Sequence, residues 1–419
     1  MPLTKHIVLQ FYAGGGVNGL SQIMMAEASE KLSGVMLRDV VDITAAGSVG
    51  NFTALTSLQK RINPDISVFT PLRETFKTVA KETMCGTKRQ EQLVNGVTHD
   101  IYHALNAVAS PFVDTMKSGI WGRFTQSVKN ATACAVLKDR TGAIHLDPTL
   151  LSDMVTQSFG DMSLNDLKSP YISYALDKNK ADFLCFSNLQ AVETPFLTSG
   201  WSDAILTDKG GDYKLRDVVL SSIAAPTLFE SHEAGGDHFI DCASFQSPLG
   251  VVRNILRMSG QDTHIHVLYM GTGRQDRDVL SPQKYNNLGA IQSQRSYISD
   301  IAMATLKREM KELHDIYSEQ VTVHQIDAVF PNEYKGHDFI RDQFNGSDSY
   351  LNVLEELTED YIVKNEGNIR QPFEVVAEAR EKASIQDPTI ARVSVPALQR
   401  LGKQAAQRLG SLIVGRAPA

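Results

Sequence analysis

Apolar residues fall along the chain in two patterns that take turns. Short runs with few interruptions, at 6–12, 40–44, 171–176, 238–241 and 264–270, have the length and composition of strands buried within a sheet. Between them, apolar residues recur three and four apart. In 20–32 the stripe is Ile23, Met24, Ala28 and Leu32, and 215–224 is a second amphipathic stretch that ends ahead of Pro226. Residues 182–187 follow 171–176 closely enough to pair with them. Strands alternating with helices predict an α/β fold, a three-layer α/β/α sandwich with its site at the carboxyl ends of the strands.

From residue 276 the pattern changes. Residues 299–319, 350–363 and 371–384 read as helices, and 321–327 as one more strand at a sheet edge. Residues 276–384 are therefore expected to form a mostly helical extension packed against one edge of a 1–275 domain. Residues 62–135 hold many polar helical segments and few strand signals. They read either as a lid or cap over a site or as ordinary surface helices.

Two turns carry the candidate chemistry. The first strand runs into Ala13-Gly14-Gly15-Gly16-Val17-Asn18-Gly19, where a helix follows, a setting that points backbone N–H groups at an anion. A nucleotide-binding turn fits poorly there, because the spacing is not G-x-G-x-x-G and no Gly-Lys-Ser/Thr follows. The second turn is Ala46-Gly47-Ser48-Val49-Gly50, between the strand at 40–44 and a helix through Phe52 and Leu55. Strand, tight turn and helix with one serine at the tip is the layout of a nucleophile elbow. It differs from G-x-S-x-G by one methyl group, at Ala46. Further on, the run 238–241 delivers Asp241 at its end, next to the small residues Cys242, Ala243 and Ser244.

Charge and cysteine usage narrow the function classes. The 419 residues carry a formal net charge of −7, which argues against a nucleic-acid partner. Cys85, Cys134, Cys185 and Cys242 lie far apart without metal-ligand spacing, so free thiols in a reducing, cytoplasmic compartment are expected. The N-terminus reads as a first strand and not as a cleavable signal, and no apolar run approaches the ~18–20 residues of a membrane span. The stretch 385–419 is basic: after Asp387 it has no acidic residue, while Arg392, Arg400, Lys403, Arg408 and Arg416 are all cationic. Leu398, Leu401, Ala405, Leu409 and Leu412 form one helical stripe. Residues 396–416 read either as a peripheral membrane contact or as a helix packed on the body or a frayed tail.

Taken in order, these motifs resemble the patatin-like phospholipases. The glycine turn occupies the place of Asp-Gly-Gly-Gly-x-Arg/Lys-Gly, and the elbow follows it. Ser222-Ile223-Ala224-Ala225-Pro226-Thr227-Leu228-Phe229 matches Ser-Ala-Ala-Pro-Thr-x-Phe with Ile223 as an offset. Asp241-Cys242-Ala243 matches Asp-Gly-Gly/Ala, and Gly271-Thr272-Gly273 matches a strand-ending Gly-Thr-Gly. The resemblance covers about residues 5–275 and implies a patatin-like catalytic domain over 1–275. It implies a Ser48–Asp241 dyad without a catalytic histidine, and N–H groups of Gly14, Gly15 and Gly16 as oxyanion donors. It also implies a phospholipid or lysophospholipid substrate cleaved through an acyl-enzyme, with no metal and no cofactor.

The chain departs from the family at Ala13, Asn18, Ala46 and Cys242. These departures keep open a catalytically silent protein that binds lipid or a partner. Acyl transfer to another alcohol uses the same dyad and also stays open. His232 and His238 lie near Asp241 in sequence but read as packed or solvated residues. His264 and His266 share one face of a strand without a carboxylate or cysteine at metal-ligand spacing.

Overall fold

The computed structural model describes residues 5–59, 66–85, 148–180, 182–189, 207–208, 212–225, 228–242, 247–259, 262–275, 304–331, 333–335, 337–338 and 345–386. Most of the 62–135 insertion, Cys134, Ala243 and Ser244, and all but the start of the 385–419 tail lie outside them. The candidate membrane contact at 396–416 is outside them too.

The fold is mixed α/β around a central sheet. Its strands are β1 (Lys5–Tyr12), β2 (Ile43–Gly47), β3 (Tyr171–Asp177), β4 (Asp182–Ser187), β5 (Thr207–Asp208), β6 (His232–Ala234), β7 (Asp237–Ile240), β8 (Thr263–Met270) and, after the short β9 (Arg274–Gln275), β10 (Val321–Ile326). Among the described residues the nine-stranded sheet runs in the order β10-β8-β1-β2-β3-β4-β5, with β7 paired to β3 and β6 to β7. The strands from β10 through β3 are parallel, β4 is antiparallel to β3, and β10 sits at the edge.

Alternation along β1 separates the two cores. Ile7, Leu9 and Phe11 point into one and Val8 and Tyr12 into the other, so the strand is apolar throughout yet serves two layers. On the Leu9 side lie α7 (Leu249–Ser259), through Val252 and Ile255, and the helix α8 (304–316), through Leu313. On the Val8 side lie α1 (Gly19–Ser33), α3 (Gly50–Ser57), α4 (Phe69–Cys85), α5 (Thr149–Phe159), α6 (Leu215–Ile223), α9 (Asp348–Lys364) and α10 (Glu366–Gln386).

Three expectations need correcting. Val40 belongs to a helical turn, α2 (Leu37–Val40), and the second strand starts at Ile43 and runs through the small residues to Gly47. Helix α1 is not a one-striped surface helix. Every residue from Gly19 to Glu30 is buried, because α4, α9 and α10 cover the side turned away from the sheet. Its polar residues are matched instead: Glu30 Oε1 accepts the Leu37 N–H at 3.0 Å, and Glu27 pairs with Lys31 and Thr70. Finally, the extension does not sit only at the sheet edge. β10 does, while α9 and α10 pack across α1. Helix α4, from the start of the 62–135 stretch, is a body helix with Phe69 and Phe76 in the core.

The amino ends of the parallel strands gather histidines. His6 on β1, His264 and His266 on β8 and His324 on β10 share the face under α10, with His6 Nδ1 and His266 Nε2 3.2 Å apart and the His266 and His324 rings stacked. Arg380 of α10, ion-paired with Asp42, faces the same cluster. Burial first, and then the neighbouring cationic groups, push His266 down to about 3 from 6.5. His6, His264 and His324 are lowered as well, mainly by burial. The unfolded chain therefore takes up protons near pH 6.5 that the folded chain refuses, and stability is lost as pH falls from there. For His266 alone the loss is about 1.4 kcal/mol per pH unit across that window. His266→Gln should accordingly show a smaller drop in Tm between about pH 7 and about pH 5 than the wild type; parallel Tm–pH curves would refute this.

Candidate active site

Two strands share one lane beside β3. On that side β2 runs parallel, with Gly47 opposite Tyr174, and then leaves the sheet at Ser48. Beyond it β7 runs the other way, with Ile240 opposite Leu176. One step past Gly47 and one step past Ile240 reach the same level, so the two strand ends meet. Ser48 Oγ donates to Asp241 Oδ2 at 2.6 Å, across 193 positions of sequence.

The elbow is strained as its layout demands. Ser48 has φ 49°, a left-handed conformation that a side chain rarely adopts. Helix α3 doubles back at once, and a Cβ on Gly50 would lie 2.6 Å from the Tyr12 carbonyl oxygen, so only glycine fits. A network behind the turn holds it. The Ser48 N–H donates to Ser222 Oγ at 2.8 Å. Asn51 Nδ2 donates to the Ser48 carbonyl at 2.8 Å and to Ser222 Oγ at 2.9 Å, and the Tyr171 hydroxyl donates to Asn51 Oδ1. Ala46, at the position where the elbow pattern has glycine, is fully buried.

The glycine turn lies directly alongside. A Cβ on Gly14 would come within 2.7 Å of Ser48 Cβ and 3.5 Å of Ser48 Oγ. Gly16 has φ 57°, and the segment Gly16–Asn18 forms a 3₁₀ turn into α1. No hydrogen bond to another described residue engages the N–H groups of Gly14, Gly15 or Gly16. The carbonyls, in contrast, are taken: Thr272 Oγ1 donates to Gly14 O at 3.1 Å, and the Asn18 N–H donates to Gly15 O at 3.1 Å. Gln22 of α1 reaches back to Ala13 O at 2.9 Å and Met270 O at 2.8 Å, tying this turn to the end of β8. Gly19 seats the turn on the elbow, since a Cβ there would touch both Val49 methyls at 2.9 Å.

Asp241 is buried, and its second oxygen, Oδ1, has no hydrogen-bond partner among the described residues. Burial pushes its carboxyl up to about 7, partly offset by the Ser48 hydroxyl. Neither nearby histidine intervenes: His232 faces Asp217 at 3.2 Å and His238 faces Ser231 at 3.4 Å. Cys242 and Cys185 are buried, and burial raises Cys242 well above the ordinary thiol range. No group of three or more His, Cys, Asp or Glu side chains among the described residues is arranged to hold a metal ion. No described helix is long and apolar enough to cross a membrane.

Ser48, Asp241 and Gly14 are thus brought into contact, with Gly15 and Gly16 beside them and Ala46, Gly47, Val49 and Gly50 shaping the elbow. The arrangement can remove a proton from the serine, next to amide donors that no other described residue engages. Sequence reading assigned no role to Gln22, Asn51, Tyr171, Ser222 or Thr272, although Ser222 and Thr272 lie inside motifs it marked.

No family model matches the chain, and no curated protein does. Among solved structures it is similar to VipD from Legionella pneumophila, at 11% identity and TM-score 0.28 over 97% of this chain and 80% of that one. It is also similar to the type III effector protein ExoU, at 12% identity and TM-score 0.31 over 99% of this chain. The chain spans 65% of ExoU.

The buried carboxyl has a signature in stability. Because its folded value lies near 7 and its ordinary value is 3.8, the folded chain keeps a proton that the unfolded chain releases. Stability therefore declines as pH rises through that window, and ionised Asp241 costs the fold on the order of 4 kcal/mol. Asp241→Asn stays neutral throughout, so its Tm advantage over wild type should widen between about pH 4 and about pH 7. A difference independent of pH would count against the raised carboxyl.

Proposed function

We propose that the chain is a lipid acyl hydrolase of the phospholipase A or lysophospholipase type, acting through Ser48 and Asp241. The single observation that carries the reading is the 2.6 Å hydrogen bond from Ser48 Oγ to Asp241 Oδ2 at a strained turn, alongside glycine amides that no other described residue engages. The patatin-like motif order supports the substrate class, a carboxylic ester of phospholipid or lysophospholipid. The predominantly non-basic charge balance, −7 overall, fits a neutral or zwitterionic lipid better than nucleic acid.

In this reading Asp241 takes the proton of Ser48 as Oγ attacks the ester carbonyl. The tetrahedral oxyanion faces the N–H groups of Gly14, Gly15 and Gly16. The intermediate collapses to an acyl-serine, and the departing alcohol takes the proton from Asp241. Water then loses a proton to Asp241 as it attacks the acyl-serine, and when the second intermediate collapses to release fatty acid, Asp241 returns that proton to Ser48 Oγ. A carboxyl near 7 suits this exchange, because a base of that strength both accepts and returns protons at neutral pH. Asp241 works here without the third group that orients a histidine in a triad. Its orientation comes from the β7 backbone, fixed where the Asp241 N–H donates to Ala224 O at 3.0 Å.

The test is fatty-acid release from mixed phospholipid vesicles. Ser48→Ala should lose activity by a factor on the order of 10³ or more. A fluorophosphonate serine probe should label wild type and not Ser48→Ala. The wild-type kcat/KM should rise with pH along a limb centred near 7, as Asp241 ionises. Equal release by the two proteins, or a label that persists without Ser48, would sink the proposal; labelling with no hydrolysis would point to acyl transfer.

A further inference from the structure

The glycine turn is held from three directions, and one of them comes from a part of the chain outside the motif-bearing region. Tyr350 sits in the first turn of α9, is fully buried, and donates its hydroxyl to Asn18 Oδ1 at 2.6 Å, across 332 positions of sequence. Asn18 is itself buried, at 7% exposure, and is the last residue of the 3₁₀ turn that Gly16 opens. Its backbone N–H closes that turn on Gly15 O at 3.1 Å. The Tyr350 bond therefore acts on the residue whose position sets where the preceding glycine amides point.

We infer that Tyr350 is a positioning residue for the glycine turn, so that the helical extension is part of the catalytic unit and not an appendage to it. This rests on the proposed dyad chemistry, in which those amides receive the oxyanion. Ion pairs tie α9 to α4. Arg73 and Lys77 of α4 both reach Glu355 of α9, at 2.8 Å and 2.7 Å, and Lys81 reaches Asp348 at 2.7 Å. Ser347 caps α9 by accepting the Tyr350 N–H. From Asn18 the chain passes to Gly19, whose close approach to Val49 brings the turn against the elbow itself. Tyr350, Asn18 and the elbow thus form one continuous line of contact. An amide displaced by a fraction of an ångström would still meet a bound ester but would meet the oxyanion poorly, which moves kcat and spares KM.

The experiment compares Tyr350→Phe, which removes only the hydroxyl, with Leu354→Ala, which cuts packing one turn further along α9 and leaves the bond in place. Leu354 is fully buried, so its truncation lowers Tm more than the loss of one hydroxyl does. Tyr350→Phe should lower kcat for vesicle phospholipid by about ten- to a hundred-fold with KM within about two-fold. Leu354→Ala should keep kcat near wild type despite its lower Tm. Independently of activity, amide exchange in residues 14–19 should rise in Tyr350→Phe and not in Leu354→Ala. With an active wild type, unchanged kcat in Tyr350→Phe, or an equal loss in Leu354→Ala, overturns this inference and leaves the dyad intact. An inactive wild type without a Ser48-dependent label removes the dyad chemistry, and the inference about catalysis falls with it. Unchanged exchange at 14–19 in Tyr350→Phe overturns the positioning role whatever the activity.

Discussion

A sheet that lets two strands approach each other end to end in one lane fixes the rest of this molecule. β2 stops where β7 arrives, and the chain leaves the sheet there by a sharp turn into a helix packed behind it. That turn forces Ser48 into the left-handed region and forces glycine at position 50, against the Tyr12 and Ala13 carbonyls. The incoming strand ends in Asp241, whose carboxylate then has nowhere to go but beside the serine, out of reach of bulk water. The short hydrogen bond and the raised carboxyl are two results of the same crowding. Strain at the turn costs stability, and the surrounding hydrogen bonds from Ser222, Asn51 and Tyr171 are what make that conformation persist.

The glycine turn poses the opposite problem. Among the described residues nothing engages its amides, and nothing intrinsic to three consecutive glycines holds them in one direction. The structure fixes their carbonyl sides instead. Thr272 holds Gly14, the Asn18 amide holds Gly15, and Gln22 binds Ala13 and Met270 together. Each of these leaves the N–H groups without a partner among the described residues while restricting their rotation. Asn18 also shows why a neutral residue suits this chain at a place where the patatin-like motif is basic. At 7% exposure, with a phenol hydroxyl donated to it, an acceptor oxygen is satisfied, whereas a cation there would lose hydration without gaining a counter-charge from Tyr350.

The central strands are legible in the sequence because parallel strands covered on both faces leave nearly unbroken apolar runs. The runs at 6–12 and 264–270 correspond to Lys5–Tyr12 and Thr263–Met270 within one residue at each start. The second strand is less legible. Its apolar start at Val40 is drawn into a helical turn, and its true continuation, Ala45 to Gly47, is made of residues chosen for size and not for strand preference. Helix α1 misleads in the other direction. Residues such as Gln22, Ser29 and Glu30 look like a solvated face but are buried with specific partners. Local spacing carries Ser48 and the glycines, because an elbow and a glycine turn are local structures. It does not carry the bonds from Gln22 to Met270 and from Tyr350 to Asn18, 248 and 332 positions apart, which are fixed only by the packing of whole helices.

Burial of ionisable groups at the two ends of the sheet ties the fold to pH from both sides. At the carboxyl end one acid is held protonated above its ordinary range, and at the amino end four histidines are held neutral below theirs. Between pH 3.8 and 6.5 the two effects oppose each other: the folded chain keeps the Asp241 proton and refuses the His266 proton. One group with a slope of about 1.4 kcal/mol per pH unit therefore offsets another of opposite sign, and the remaining histidines tip the balance toward loss in acid. Near neutrality the histidine penalty has vanished, while Asp241 is half ionised. That is the condition in which the site holds both forms of its acid, and in which Arg380 lies over uncharged rings instead of over a cluster of like charges. The same exclusion of water that sharpens the chemistry at one end of the strands thus makes stability fall in acid through the histidines at the other.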